Sequence, residues 1–291
     1  MDQQPLPPGL YLVATPIGNL GDITLRALST LKQADRIACE DTRQTQKLLN
    51  HFEITTPTVS CHQHNERTRA IELVEALKSG SRIALVSDAG MPGISDPGSW
   101  LVSAAIAAGI PVIPIPGPNA ALSALIASGL PTGEFQFIGF LPEKAGARRT
   151  RLESLAAEAA KSETPRTLIF YEAPHRILDT LTDIESIFGT AQHVVVAREL
   201  TKLHEEFLRG PVSEVHASLA ARASVRGEIV LLFVPAPRPA ADAKILSIAA
   251  EVADLMRAEG LAEKDALKRI ARTRGLGKSE AYRELQRERG K

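Results

Sequence analysis

The dozen residues Ser87-Asp-Ala-Gly-Met-Pro-Gly-Ile-Ser-Asp-Pro-Gly98 place two carboxylates on a backbone that can continue neither strand nor helix. Three glycines and two prolines break regular structure here. The segment follows Arg82-Ile-Ala-Leu-Val86, a short apolar run that reads as a buried strand. A phosphate cradle would back its backbone N–H groups with a cation, and no lysine or arginine stands in this loop. Carboxylates beside exposed carbonyls suit a ligand that carries positive charge and hydroxyls. S-adenosylmethionine, with its sulfonium, ammonium and ribose, is the common metabolite of that description. A plain surface turn shaped by glycine and proline is the alternative.

Two further turns have the same character. Thr15-Pro-Ile-Gly-Asn-Leu-Gly-Asp22 follows the first apolar run and lacks both the dinucleotide fingerprint and the Walker lysine. Pro116-Gly-Pro-Asn-Ala-Ala121 is a rigid turn opening into a helix. Three such turns, each after a strand of one sheet, point to one shared pocket.

Methyl transfer from a sulfonium is an in-line displacement, so positioning supplies much of the acceleration. A hydroxyl acceptor would also benefit from a base. Glu40, Asp41, Glu172, His175 and Glu199 all follow strands and can face a cleft. Asp41 and Glu172 are the candidate proton acceptors; capping of the following helices is the competing role for both. Arg43, His175, Arg176, Arg198 and Lys202 are the candidate contacts to a nucleic-acid substrate. Each cation could instead pair with a neighbouring carboxylate. Cys61-His-Gln-His64, with His51 nearby, matches no zinc spacing. It reads as a polar loop entering a helix capped by Asn65, and no metal site is expected. Trp100 reads as a core or subunit-interface residue.

The elements that must position these groups alternate. Leu10–Ala14, Arg36–Cys39, Ile83–Val86 and Pro111–Ile115 read as strands, and Ile23–Gln33, Thr42–Phe52, Glu66–Leu77 and Ser99–Ala108 as helices. This alternation argues for a parallel sheet that binds its ligand beyond the strands' C-terminal ends. A second α/β unit follows, with strands at Phe135–Phe140, Thr167–Tyr171, His193–Ala197 and Glu228–Val234. Its helices are expected at Arg148–Lys161, Pro174–Phe188 and Val212–Ala223. The polar, basic run between Leu141 and Arg151 reads as a mobile loop on the substrate side.

Pro235-Ala-Pro-Arg-Pro239 is a stiff linker. Beyond it, Lys244–Ala258, Glu263–Thr273 and Ser279–Arg287 read as helices, the last two joined by the glycine turn Arg274–Lys278. That is helix-turn-helix spacing, although a small helical docking module fits it equally well.

Bulk properties narrow the class. The 291 residues carry 34 basic and 34 acidic side chains, but Lys264–Lys291 alone has ten basic and four acidic. A basic tail on an acidic body suits a polyanionic partner. Two cysteines form no disulfide framework. Residues 97–133 are uncharged, yet prolines and glycines cut them into pieces shorter than the ~20 residues a membrane helix needs. Met1–Pro8 is not a signal peptide. A soluble, cytoplasmic protein is expected.

Together, Val13–Asp22, Cys39-Glu-Asp-Thr-Arg43, Ser87–Gly98, Pro116–Ala121, Phe170-Tyr-Glu-Ala-Pro-His-Arg176 and Ala197-Arg-Glu-Leu-Thr-Lys202 resemble a known family. These are the small-subunit ribosomal RNA cytidine 2′-O-methyltransferases, of the two-domain tetrapyrrole-methylase (class III S-adenosylmethionine methyltransferase) α/β fold. The resemblance runs from Leu10 to Val234, and the tail is similar to the helical module of the same family. It implies a flexible N-terminus at 1–9, α/β domains at 10–122 and 123–234, a linker at 235–240 and a basic helical module at 241–291. It also implies a homodimer acting on 16S ribosomal RNA, with S-adenosylmethionine in the cleft between the α/β domains. Carried over residue by residue, Pro16, Asp88, Met91, Pro116 and Gly117 would hold the cofactor from the first domain. Tyr171, Ala197, Gly227 and Glu228 would hold the adenine from the second. The alternatives are a small-molecule or tetrapyrrole methylase of the same fold, and a nucleic-acid-binding regulator with a ligand-sensing α/β body. With 4% aromatic residues, base stacking on a sheet is not expected, and a folded subunit is the expected substrate rather than a short RNA.

Overall fold

The computed structural model describes residues 5–62, 65–235, 248–273, 281–283 and 285–286. The chain divides into two compact units, Met1–Ala236 and Pro237–Lys291. The first unit holds two sheets.

Strands β1 (Gly9–Val13), β2 (Arg36–Cys39), β3 (Thr58–Ser60), β4 (Arg82–Val86) and β5 (Val112–Ile115) form a sheet in the order β3-β2-β4-β1-β5. Every neighbouring pair is parallel. The connections carry helices α1 (Leu25–Gln33), α2 (Thr42–His51), α3 (Glu66–Lys78) and α4 (Ser99–Ala107), and α5 (Ala120–Ser128) follows β5. The strands are continuous apolar runs because helices cover both faces. Alternate residues divide between them: Tyr11, Ile37, Ala84 and Val86 pack with α1 and α2 side chains, whereas Leu10, Ala38, Ile83 and Leu85 pack with those of α3 and α4. The uncharged stretch 97–133 is accounted for by α4, β5 and α5. No described helix is long and apolar enough to cross a membrane.

The second sheet comprises β6 (Phe135–Phe140), β7 (Thr167–Glu172), β8 (His193–Arg198), β9 (Glu206–Pro211) and β10 (Ile229–Phe233) in the order β6-β7-β10-β8-β9. Only β6 and β7 are parallel; the other pairs are antiparallel. Helices α6 (Ala145–Ala160), α7 (Ile177–Phe188) and α8 (Val212–Ala220) cover one face. The other face packs against α5, whose Ala121, Ala124 and Leu125 join Ile169, Val195 and Val230 in one apolar cluster. Helix α5 thus follows the first sheet in sequence and packs on the second.

The basic run before Arg151 is not a mobile loop: from Ala145 onward it is α6. Arg148, only 4% exposed, pairs with Asp183 of α7 at 2.7 Å, and Arg149 takes the other oxygen at 2.6 Å. Two cations of the expected substrate-side loop therefore knit α6 to α7. Asn65 precedes α3, but its side chain accepts the His62 N–H at 2.8 Å rather than capping the helix.

In the second unit, α9 (Ile248–Glu259) and α10 (Glu263–Thr273) share a core of Ile248, Val252, Ala266 and Ile270 with Ala281 and Leu285. Residues 281–283 and 285–286 are helical. The expected turn at 274–278, the Ser279 cap and most of the linker lie outside the described residues.

Candidate active site

The loop after β4 is fixed by a short set of hydrogen bonds. Thr15 and Gly90 exchange backbone bonds, N–H to carbonyl, at 2.9 and 3.0 Å, and the Thr15 hydroxyl donates to the Ser87 carbonyl at 3.1 Å. The turns after β1 and β4 are thereby joined. Farther along, the buried Glu66 carboxylate of α3 accepts the N–H groups of Gly98 and Trp100 at 2.9 and 2.8 Å, capping α4 from outside. Between these anchors Ser95 adopts a left-handed backbone with φ 61°, a conformation that non-glycine residues adopt at a cost. The turn after β5 lies close against β1: a Cβ on Gly117 would stand 2.9 Å from that of Ala14.

A cavity of about 370 Å³ opens between this loop and the second sheet. Asp88, Met91, Ile94 and Asp96 line one side, Asn119 and Ala120 at the start of α5 another. Phe140, Tyr171, Glu228 and Val230 form the wall from the second sheet. Tyr171 is held edge-on by Phe137 and Phe140, with ring centres 5.0 and 5.7 Å away. The cavity is thus apolar and aromatic on one side and acidic on the other.

No described lysine or arginine lines this cavity. Glu40, Asp88 and Asp96 form no ion pair with a described lysine or arginine. Burial, then the carboxylates of Glu40 and Asp88, pushes Asp96 up to about 6. Burial also raises Asp88, with the charge of Asp41 adding to it, and raises Glu40, with the charge of Asp88 adding to it. Carboxylates held above their ordinary range by burial and by neighbouring carboxylates favour a cationic ligand. An aromatic wall facing them suits a planar base, so the residues present fit S-adenosylmethionine.

The expected site residues divide into lining, supporting and outlying groups. Asp88, Met91, Tyr171 and Glu228 line the cavity, as does Glu172. Ala197 is fully buried in the cluster beneath the wall. Gly227 has φ +90° and backs onto the Glu199 side chain, next to Glu228. Pro16 precedes the lining residue Ile17, and Pro116 and Gly117 do not line the cavity, Gly117 packing against Ala14.

Both expected proton acceptors have structural partners. Asp41 caps α2, its carboxylate accepting the Arg43 N–H at 2.8 Å. The Glu172 side chain is fully buried, pairs with Arg176 at 3.0 Å and accepts the Thr180 hydroxyl at 2.6 Å. Arg176 also donates to the Leu141 carbonyl at 2.9 Å. Arg198 pairs with Glu206, and Lys202 bridges Glu199 and Glu228 at 2.9 and 3.1 Å. Arg43 and His175 are exposed. The competing roles weighed for these side chains, capping and local pairing, are thus present in five of the seven.

Asp96, Asn119 and Val230 were not singled out by sequence. The only signal for Asp96 was its place as the second carboxylate of the Ser87–Gly98 loop. A second cavity, of about 610 Å³, adjoins the first and shares Ser95 and Asp96 with it. Trp100, half-exposed rather than in the core, stands on its rim. The two cysteines are buried free thiols, and burial pushes Cys61 up to about 11.

Comparison with known proteins adds the lineage. The family model for tetrapyrrole (corrin/porphyrin) methylases matches residues 9–216. A protein of Halalkalibacterium halodurans called ribosomal RNA small subunit methyltransferase I is 52% identical, over 94% of this chain and 93% of its own length. Proteins of the same name from Synechocystis sp. and Pseudomonas aeruginosa are 49% and 44% identical, each over at least 94% of both chains. The crystal structure of uroporphyrin III C-methyl transferase from Thermus thermophilus aligns with 77% of this chain and 96% of its own at a TM-score of 0.53 and 18% identity, a likeness of fold. The match covers strands of both sheets, from β1 into α8, and the chain belongs to the tetrapyrrole methylase family.

Proposed function

We propose that this protein transfers a methyl group from S-adenosylmethionine to the 2′-oxygen of a cytidine in 16S ribosomal RNA of the small subunit, acting as a cytoplasmic homodimer. The observation that carries the reading is the acidic loop, without lysine or arginine, at the C-terminal ends of the parallel strands, facing an aromatic wall. Relatives named as small-subunit ribosomal RNA methyltransferases, similar along nearly the whole chain, support the substrate class. The sequence resemblance supports the ribose of cytidine as the acceptor.

S-adenosylmethionine supplies an electrophilic methyl group on a sulfonium. Asp88 and Asp96 balance positive charge in the cavity, Met91 and Ile94 exclude water beside them, and Tyr171 with Val230 offers a flat apolar surface for an adenine. Asn119 fixes the start of α5 by accepting the Leu122 N–H at 2.9 Å. These groups hold the reactants in line, where orientation lowers the barrier without covalent help.

The test uses purified protein, methyl-labelled S-adenosylmethionine and small subunits lacking ribose methylation, with mass spectrometry of the digested RNA. Labelled 2′-O-methylcytidine is the expected product. Protein that binds the cofactor but labels no subunit RNA would overturn the reading in favour of a small-molecule methylase. Light scattering tests the dimer.

A further inference from the structure

We propose that the second cavity seats the target nucleoside, flipped out of the RNA, with its base against the Arg67–Trp100 pair and its 2′-hydroxyl against Asp96. The proposal rests on the ribosomal RNA methyltransferase reading and specifies where that substrate binds.

Contiguity is the first argument. Ser95 and Asp96 line both cavities, so the two meet at these residues and a nucleoside in the second lies beside a methyl donor in the first. At about 610 Å³ the second cavity falls within the roughly 300–1,000 Å³ of small-ligand sites.

The lining supplies the second argument. The Arg67 guanidinium lies 4.4 Å from the centre of the Trp100 ring, and Trp100 is 51% exposed. A half-exposed indole stacked with a planar cation presents the two kinds of surface on which unpaired bases stack. Enzymes that act on a nucleotide inside folded RNA bring it out of its stack and hold it in such a pocket. The remaining polar lining is Ser95, Ser99 and three carboxylates. Glu66 is occupied with the backbone of α4, which leaves Glu40 and Asp96 facing the cavity. Carboxylates repel phosphate and accept from hydroxyl and amino groups. A carboxylate is also the side chain that accepts the exocyclic amine of cytosine, which gives Glu40 the means to prefer cytidine over uridine.

Asp96 then acts as a catalytic residue. The ribose oxygen forms the new carbon–oxygen bond while the sulfur–carbon bond breaks, its electron pair staying on sulfur. The hydroxyl proton passes to the Asp96 carboxylate and from there to solvent. The charged and titratable groups that share a cavity with Asp96 are Glu40 after β2, Glu66 and Arg67 of α3, Asp88 after β4, Tyr171 and Glu172 of β7, and Glu228 before β10. With Asp96 raised to about 6, it is ionised at neutral pH and a better base than an ordinary carboxylate.

Trp100 is the single tryptophan, so its fluorescence reports on the cavity directly. Titration of the full-length protein with cytidine 5′-monophosphate, in the presence of S-adenosylhomocysteine, is expected to quench it at lower concentration than uridine 5′-monophosphate does. Glu40→Gln is expected to shrink that difference. In turnover, Trp100→Ala is expected to raise the KM for small subunits at least tenfold with S-adenosylmethionine affinity unchanged, and Trp100→Phe to recover part of the loss. Asp96→Asn is expected to remove an ionisation from the acid limb of the kcat profile. No quenching by either nucleotide, or an unchanged subunit KM in Trp100→Ala, would overturn the proposal while wild-type methylation of subunits left the parent reading standing. Failure of the wild type to methylate subunit RNA would overturn both.

Discussion

The carboxylate of Asp88 accepts the backbone N–H of Asp41 at 3.3 Å, tying the loop after β4 to the loop after its neighbour β2. One side chain thus lines the cofactor cavity and fixes the backbone that carries Glu40 and Asp41. Its two duties can be separated. Asp88→Asn keeps an oxygen to accept the N–H and loses the charge, whereas Asp88→Ala loses both. Calorimetry with S-adenosylmethionine is expected to show weaker binding in both, by about tenfold for the asparagine variant, about 1.4 kcal/mol. A further loss is expected in the alanine variant. Equal affinities in the two variants would mean that the inter-loop bond contributes nothing.

Asp96 is expected to reduce the stability of the ligand-free protein at neutral pH. Its folded value of about 6 lies above the ordinary 3.8, so the folded state binds this proton more tightly than the unfolded chain. Stability from this group is complete below about pH 4 and is lost as pH rises through 6. Asp96→Asn is therefore expected to melt above the wild type at pH 7.5, the gap closing as pH falls towards 4. Scanning fluorimetry across that range, without cofactor, checks it.

Asp183 should matter to folding and not to chemistry. It is buried between Arg148 and Arg149, and removing it strands the buried Arg148 guanidinium. Asp183→Ala is expected to lower unfolding free energy by about 3–5 kcal/mol. Denaturant melts measure this. Activity per folded molecule, taken at low temperature, should stay near wild type.

Gly117 tests the close approach of the β5 turn to β1. A methyl group there meets the Ala14 Cβ at 2.9 Å, and neither can rotate away. Gly117→Ala is expected to cost about 1–3 kcal/mol and to weaken S-adenosylmethionine binding by displacing Asn119 and Ala120. A variant with unchanged melting and affinity would show that the turn yields freely.

Much of the fold was legible in the sequence because continuous apolar strands flanked by glycine turns have few alternatives. The two strands that escaped have physical reasons for doing so. Strand β3 is three half-buried residues, too short to show a period. Strand β9 is an edge strand whose side chains are half-buried or exposed, and whose Glu206 and Arg209 make it read as loop. Helix α6 was started late because Arg148 and Arg149 look like a solvated basic run until Asp183 is brought beside them, 34 residues or more along the chain.

The sequence by itself determined that three glycine turns end strands of one sheet, that one of them is acidic, and that the tail is basic. These are properties of residue type and local spacing, which a chain carries wherever it folds. Only the tertiary structure decided which polar groups remain available. Glu172 and Arg176 neutralise each other, Asp41 is taken up by α2, and Arg198 and Lys202 are held by carboxylates. Asp96 instead makes no described ion pair and lines both cavities where they meet. Whether a charged side chain is a site or a strut depends on what lies within a few ångströms of it, and those neighbours come from strands and helices far apart in sequence.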